Sequence, residues 1–195
     1  WVIAGCQMGA AVAFASFMTF FPTYAIDHLG ISLTKVGLLM AFFPIGAMLG
    51  SLSSGPLSQL VGRRKPFIWI PGAFLPVFYF TMLRVDSIPL VALLLLGAGI
   101  CAMAVPPVLS TIPLDMRLAP REVTVALGLM RTLFPLGATM GPLLVGAIQE
   151  STGSLFLGLS IVAPMALTLF LGGRLLPETG PKGHWRHQPP RTGSS

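Results

Sequence analysis

Arg131 is the one ionisable side chain that falls deep inside an uncharged stretch of this 195-residue sequence. A cation in an apolar span is expensive, so it must face a wet cavity, a partner or an anionic ligand. The alternative is a helix that begins late enough for the side chain to snorkel to the membrane surface. Counted from a helix start near Arg121, Arg131 lies about 15 Å along the axis at 1.5 Å per residue. That depth is close to the middle of a hydrocarbon core about 30 Å thick. As a binding group it favours an anion, such as an organic acid, over a cation. Gln7 is the second candidate. A carboxamide in apolar surroundings needs hydrogen-bond partners, supplied by a neighbouring helix or by a solute.

Other chemistry is missing from the apolar stretches. Asp27, Asp86 and Glu150 fall at one set of stretch ends, and Asp115, Glu122 and Glu178 at the other. A carboxylate that couples transport to protons would therefore have to lie outside this chain. His28, His184 and His187 sit in a loop or the tail, away from Cys6 and Cys101, so no metal-ligand spacing forms. The two thiols read as small buried hydrophobes. No Ser–His pair, acid pair or metal cluster lies within a span, which argues against an enzyme and implies no cofactor.

The elements that position Arg131 and Gln7 follow from composition. Hydrophobic residues make up 54% of the chain and charged ones only 9%, with a mean hydropathy of +0.83. Soluble domains carry roughly 25% charged residues, so this is a membrane protein. The net charge of +6 does not indicate nucleic acid, because most of the length is uncharged. Reading between charges gives six expected helices at about 1–26, 36–60, 66–84, 88–112, 122–148 and 154–176. Strands are excluded, since transmembrane strands are about ten residues long with alternating polarity. The bundle thus covers 1–176, and 177–195 is a polar tail expected to be disordered.

Cation placement sets the orientation. Arg63, Arg64, Lys65, Arg117, Arg121, Arg174, Lys182, Arg186 and Arg191 fall on one side, against Lys35 and Arg84 on the other. Nine against two puts the first side, and both chain ends, in the cytoplasm of a cell-membrane protein. The chain opens at Trp1 in mid-apolar sequence, as a fragment would.

An internal repeat links the second and fifth stretches. Residues 36–62 laid over 127–153 give ten identities in 27 ungapped positions, five of them glycines. Gly46, Gly50, Gly55 and Gly62 meet Gly137, Gly141, Gly146 and Gly153, and Phe43-Pro44 meets Phe134-Pro135. Copies three spans apart cross the membrane in opposite directions, so the expected fold is all-α, with six transmembrane helices as a 3+3 inverted repeat. Secondary transporters are commonly built this way, with a midplane site. Gly46 with Gly50, and Gly137 with Gly141, share a helix face and allow close backbone approach, as static packing or as a sliding contact. Pro44, Pro135 and Pro142 permit bends.

The stretch Gly55-Pro-Leu-Ser-Gln-Leu-Val-Gly62-Arg63-Arg64-Lys65-Pro66 resembles the loop signature of the major facilitator superfamily. Gly137-x-x-x-Gly141-Pro142 resembles its glycine-proline motif, and Pro177-Glu178-Thr179 is similar to a common ending of these carriers. Gln59 and Leu60 stand where the family carries an acid and a base, a weakening that looks like the second copy of the loop. The resemblance implies helices seven to twelve of a twelve-helix transporter, in which the first and fourth helices of this half line the cavity. It implies a small-molecule substrate, surrounding lipids, and either an N-terminal six-helix half or a second copy of this chain as partner. Transport would then proceed by rocking of two halves. A self-associating channel-like or half-size carrier subunit is the alternative.

Overall fold

Backbone N–H and C=O groups find no water in hydrocarbon, so an apolar chain that crosses a bilayer satisfies them within helices. The computed structural model describes residues 2–116 and 119–176. The expected tail 177–195, with its Pro177-Glu178-Thr179 ending, lies outside the described residues, as do Trp1 and Arg117. In chain order the helices are α1 (Val2–Leu29), α2 (Leu33–Met40), α3 (Phe42–Val61), α4 (Pro66–Met82), α5 (Ile88–Asp115), α6 (Pro120–Thr152), α7 (Leu155–Val162) and α8 (Leu167–Leu175). A 3₁₀ turn, Ala163–Ala166, joins α7 to α8. α2 and α3 run on as one apolar stretch, Leu33–Val61, and α7 to α8 as another, Leu155–Leu175. Among the described residues, five stretches are long and apolar enough to cross a membrane. The 17 residues of α4 reach only about 25 Å.

Local chemistry explains the boundaries. Pro44 has no N–H for the Met40 carbonyl and crowds it. The helix therefore breaks at Ala41, whose N–H is shared between the Gly37 and Leu38 carbonyls at 3.2 and 3.3 Å. Pro135 and Pro142 stay inside an unbroken α6. Pro120 opens α6 where its missing N–H is harmless, and Glu122 accepts a hydrogen bond from the Ala119 N–H at 3.0 Å. Ser154 caps α7 by accepting from the Leu157 N–H at 3.3 Å.

Gly62 and Gly153 close α3 and α6 in the left-handed region, with φ of 74° and 72°, where a side chain costs about 1–2 kcal/mol. Gly153→Ala should therefore lower thermal stability by about 1 kcal/mol in detergent-solubilised protein. Gly55 is helical with nothing near its missing Cβ, so Gly55→Ala should be neutral or slightly stabilising in the same measurement.

The helices pack in the neighbour order α3, α5, α4, α8, α1, α6. Glycine makes each close approach possible. Gly46 and Gly50 of α3 lie against the Leu96 and Ile100 carbonyls of α5, and Gly99 of α5 lies against the Phe43 carbonyl. Gly137 and Gly141 of α6 meet the Met8 and Val12 carbonyls of α1. Between α4 and α8 the contact is reciprocal: Gly72 sits on the Phe170 backbone, and Gly173 on that of Trp69. Such contacts substitute for the hydrophobic drive that lipid removes. Phe17 of α1 stacks on Tyr79 of α4 with centroids 4.1 Å apart, and Tyr24 donates to the Leu83 carbonyl at 2.7 Å.

Candidate functional site

α1, α5 and α6 enclose a cavity of about 470 Å³. Its polar groups are Gln7 from α1, Ser110 from α5 and Arg131 from α6, and Met103, Pro106 and Phe134 are among its apolar lining. The structure thus brings together Gln7 and Arg131, which stand 124 positions apart in sequence. Gln7 is only 8% exposed, yet among the described residues its carboxamide bonds to no protein group. Among the described residues the interhelical hydrogen bond open to it in the sequence is not made, and the amide faces the cavity. Ser110 donates to the Pro106 carbonyl at 2.9 Å, which leaves its oxygen lone pairs toward the space. Arg131 is exposed on the cavity wall, twelfth in a helix that begins at Pro120.

A side chamber of about 40 Å³ opens behind Gln7 and is lined also by Phe14, Leu75, Tyr79 and Leu169. Tyr79 is 1% exposed, and its hydroxyl takes no hydrogen bond among the described residues. The side chamber exceeds the volume one water needs. Tyr79 carries no signal in the sequence, since α4 is the least certain span by length and its three prolines hide any periodicity.

The loop residues form a separate cluster. Arg63 is exposed and Arg64 is 6% exposed. Arg64 donates from Nε to Asp115 Oδ2 at 3.1 Å and from Nη1 to Ser58 Oγ at 2.7 Å. Ser58 donates in turn to the Gly55 carbonyl at 2.9 Å. Gln59 and Leu60 point outward. Asp115 and Ser58 were not singled out by the sequence. The available signal was a lone acid closing an apolar helix that faces a basic loop. Gly137 and Gly141 are buried at the α1 contact, and Pro142 is half-buried beside them.

At the opposite end, a third cavity of about 300 Å³ is lined by Tyr24, Asp27, His28, Gln149 and Ser154 among others. His28 stacks on Tyr24 with centroids 5.1 Å apart and pairs with Asp86 at 3.0 Å. Ser16 donates to the Val12 carbonyl of its own helix at 2.7 Å.

Fold and site together define an all-helical, multi-pass membrane protein with a solute-sized cavity among its spans. The chain belongs to the Major Facilitator Superfamily, whose family model matches residues 3–193. It is 31% identical over 149 residues to the glucose transporter GlcP of Staphylococcus epidermidis, covering 75% of this chain and 32% of that protein. It is 32% identical over 148 residues to the facilitated trehalose transporter Tret1 of Bombyx mori, covering 75% of this chain and 27% of the relative. The chain therefore spans less than a third of the length of these curated relatives.

Proposed function

We propose that the chain is the C-terminal six-helix half, helices seven to twelve, of a secondary carrier that moves a small sugar across the cell membrane. Residues 1–176 form the bundle, 177–195 the tail, and both ends lie on the cytoplasmic side. The carrying observation is the unpartnered Gln7 carboxamide in a cavity walled by Phe134 and Met103. A carboxamide offers both donors and an acceptor, which suits sugar hydroxyls. Apolar and aromatic walls suit the C–H faces of a ring. The relatives bear names of glucose and trehalose carriers, and this favours a neutral sugar over the anion that Arg131 suggests on charge alone. Arg131 can also donate to hydroxyl oxygens.

The 3+3 inverted repeat gains support from packing. Exchanging the first span with the fourth, the second with the fifth and the third with the sixth leaves the neighbour order unchanged. Each copy also sets its glycine pair against carbonyls four residues apart on its neighbour. Access to the cavity would alternate as this half rocks against a second six-helix half, with the break at Ala41 and the glycine contacts as the moving parts.

Uptake into proteoliposomes tests the reading. Glucose or a glucose disaccharide should accumulate and a dicarboxylate should not. Gln7→Ala should lower sugar uptake roughly tenfold, the value of a lost hydrogen bond of about 1.4 kcal/mol. Arg131→Ala should lower it less. Uptake of the dicarboxylate alone, abolished by Arg131→Ala, would establish the anion reading instead.

A further inference from the structure

Where the loop cluster meets α8 lies a second basic site whose residues line none of the cavities described above, independent of the transport reading. The Arg174 guanidinium lies over both the Trp69 and Phe170 rings, 5.2 Å from each centroid. The rings meet edge to face at 6.1 Å. They are held there by the Gly72 and Gly173 contacts, which lock the start of α4 to the end of α8. Lys65 donates to the Arg174 carbonyl at 3.0 Å, which brings its ammonium beside the same spot. Among the described residues no carboxylate pairs with Arg174 or Lys65. A guanidinium held over aromatic rings and unpaired with a carboxylate has N–H groups to offer a bidentate oxyanion. Exposed apolar residues of the same two helices adjoin the rings: Ile70 follows Trp69, Phe74 lies about a turn further along α4, and Leu171 stands between Phe170 and Arg174.

We propose that Lys65, Trp69, Phe170 and Arg174 form a seat for the phosphate of an anionic membrane phospholipid, whose acyl chains lie along Ile70, Phe74 and Leu171. Each feature fits that ligand. Tryptophan favours the headgroup level, basic pockets between spans bind anionic headgroups, and the adjoining exposed apolar residues offer acyl chains a surface. A soluble phosphate would use the cations but gain nothing from the apolar strip.

The test uses native mass spectrometry of the natural protein in full length, with phosphatidylglycerol and phosphatidylcholine of identical acyl chains. The wild type should retain phosphatidylglycerol in preference to phosphatidylcholine by roughly fivefold or more. Arg174→Gln should remove most of that preference and Lys65→Gln part of it. Arg121→Gln, an equal charge loss elsewhere, should leave it intact. If Arg174→Gln does not yield folded protein, Arg174→Lys serves, and it should weaken retention by losing the forked N–H donors of the guanidinium. Soluble glycerol phosphate should not displace the lipid at matched concentration. Equal retention of both lipids, full preference in the Arg174 variants, an equal loss in Arg121→Gln, or displacement by glycerol phosphate would each overturn the assignment.

Discussion

Gly141→Leu is expected to prevent α6 from docking on α1 and to abolish transport, while Gly128→Leu on the same helix leaves both intact. Even a single added carbon at Gly141 would fall inside the contact radius of the Val12 carbonyl oxygen, with Ser16 Oγ at 2.6 Å. The neighbours are backbone and a hydroxyl already bonded to that carbonyl, so neither can swing aside. Overpacking of this kind costs about 1–3 kcal/mol and occasionally more, and leucine adds three further carbons to the collision. Gly128 meets nothing within 4 Å and gains helix propensity on substitution.

Thermal unfolding of the purified variants, with uptake beside it, separates the outcomes. A Gly141→Leu protein that unfolds at the wild-type temperature would show that α1 and α6 do not approach closely. Gly50→Leu should fail in the same way at the α3–α5 contact, where a Cβ would meet the Ile100 carbonyl. The Gly50 and Gly141 effects should add, because the two contacts share no residue.

Those glycines were legible in the sequence because helix packing in lipid depends on small side chains at fixed spacing, and the register of Gly46, Gly50, Gly137 and Gly141 is visible without coordinates. Pro120 and Glu122 likewise announce the start of α6 in their own residue types. Pro44 predicts a bend but not its position, since the break at Ala41 arises from a carbonyl four residues earlier. The cavity was half legible. Gln7 and Arg131 stand out as polar groups among apolar ones, but their convergence depends on α6 packing against α1, which no local pattern encodes. Tyr79 looks like one more aromatic in an apolar run, and only the side chamber behind Gln7 distinguishes it. Charge alone and the relatives point to different substrates. A lone arginine suggests an anion, whereas the names of the relatives lead toward hydroxyl-rich neutral solutes, to which a guanidinium also donates.

Asp115→Asn is expected to destabilise the protein by about 2 kcal/mol, because the largely buried Arg64 guanidinium loses a charged hydrogen-bond acceptor. The side chains of Arg64 and Asp115 are 7% and 27% exposed, so the two losses should be unequal. Asp115→Asn takes a charged acceptor from Arg64, the more buried of the two side chains, whereas Asp115 without its arginine is the more exposed and turns to water at the helix end. Arg64→Met should therefore cost less than Asp115→Asn, and the double variant less than the sum of the singles. The coupling, read from thermal unfolding of the four proteins, should amount to about 1–3 kcal/mol. Additive losses would mean that the pair holds no energy of its own and that α5 is not tied to the Gly62–Lys65 loop through it. The coupling matters because Asp115 closes the helix that brings Ser110 and Met103 to the cavity. A loop residue fixed to that helix end moves when the cavity wall moves. The departure at Gln59 and Leu60 thus leaves intact a charged link between the loop and the fourth span, carried by Arg64 rather than by the two replaced positions.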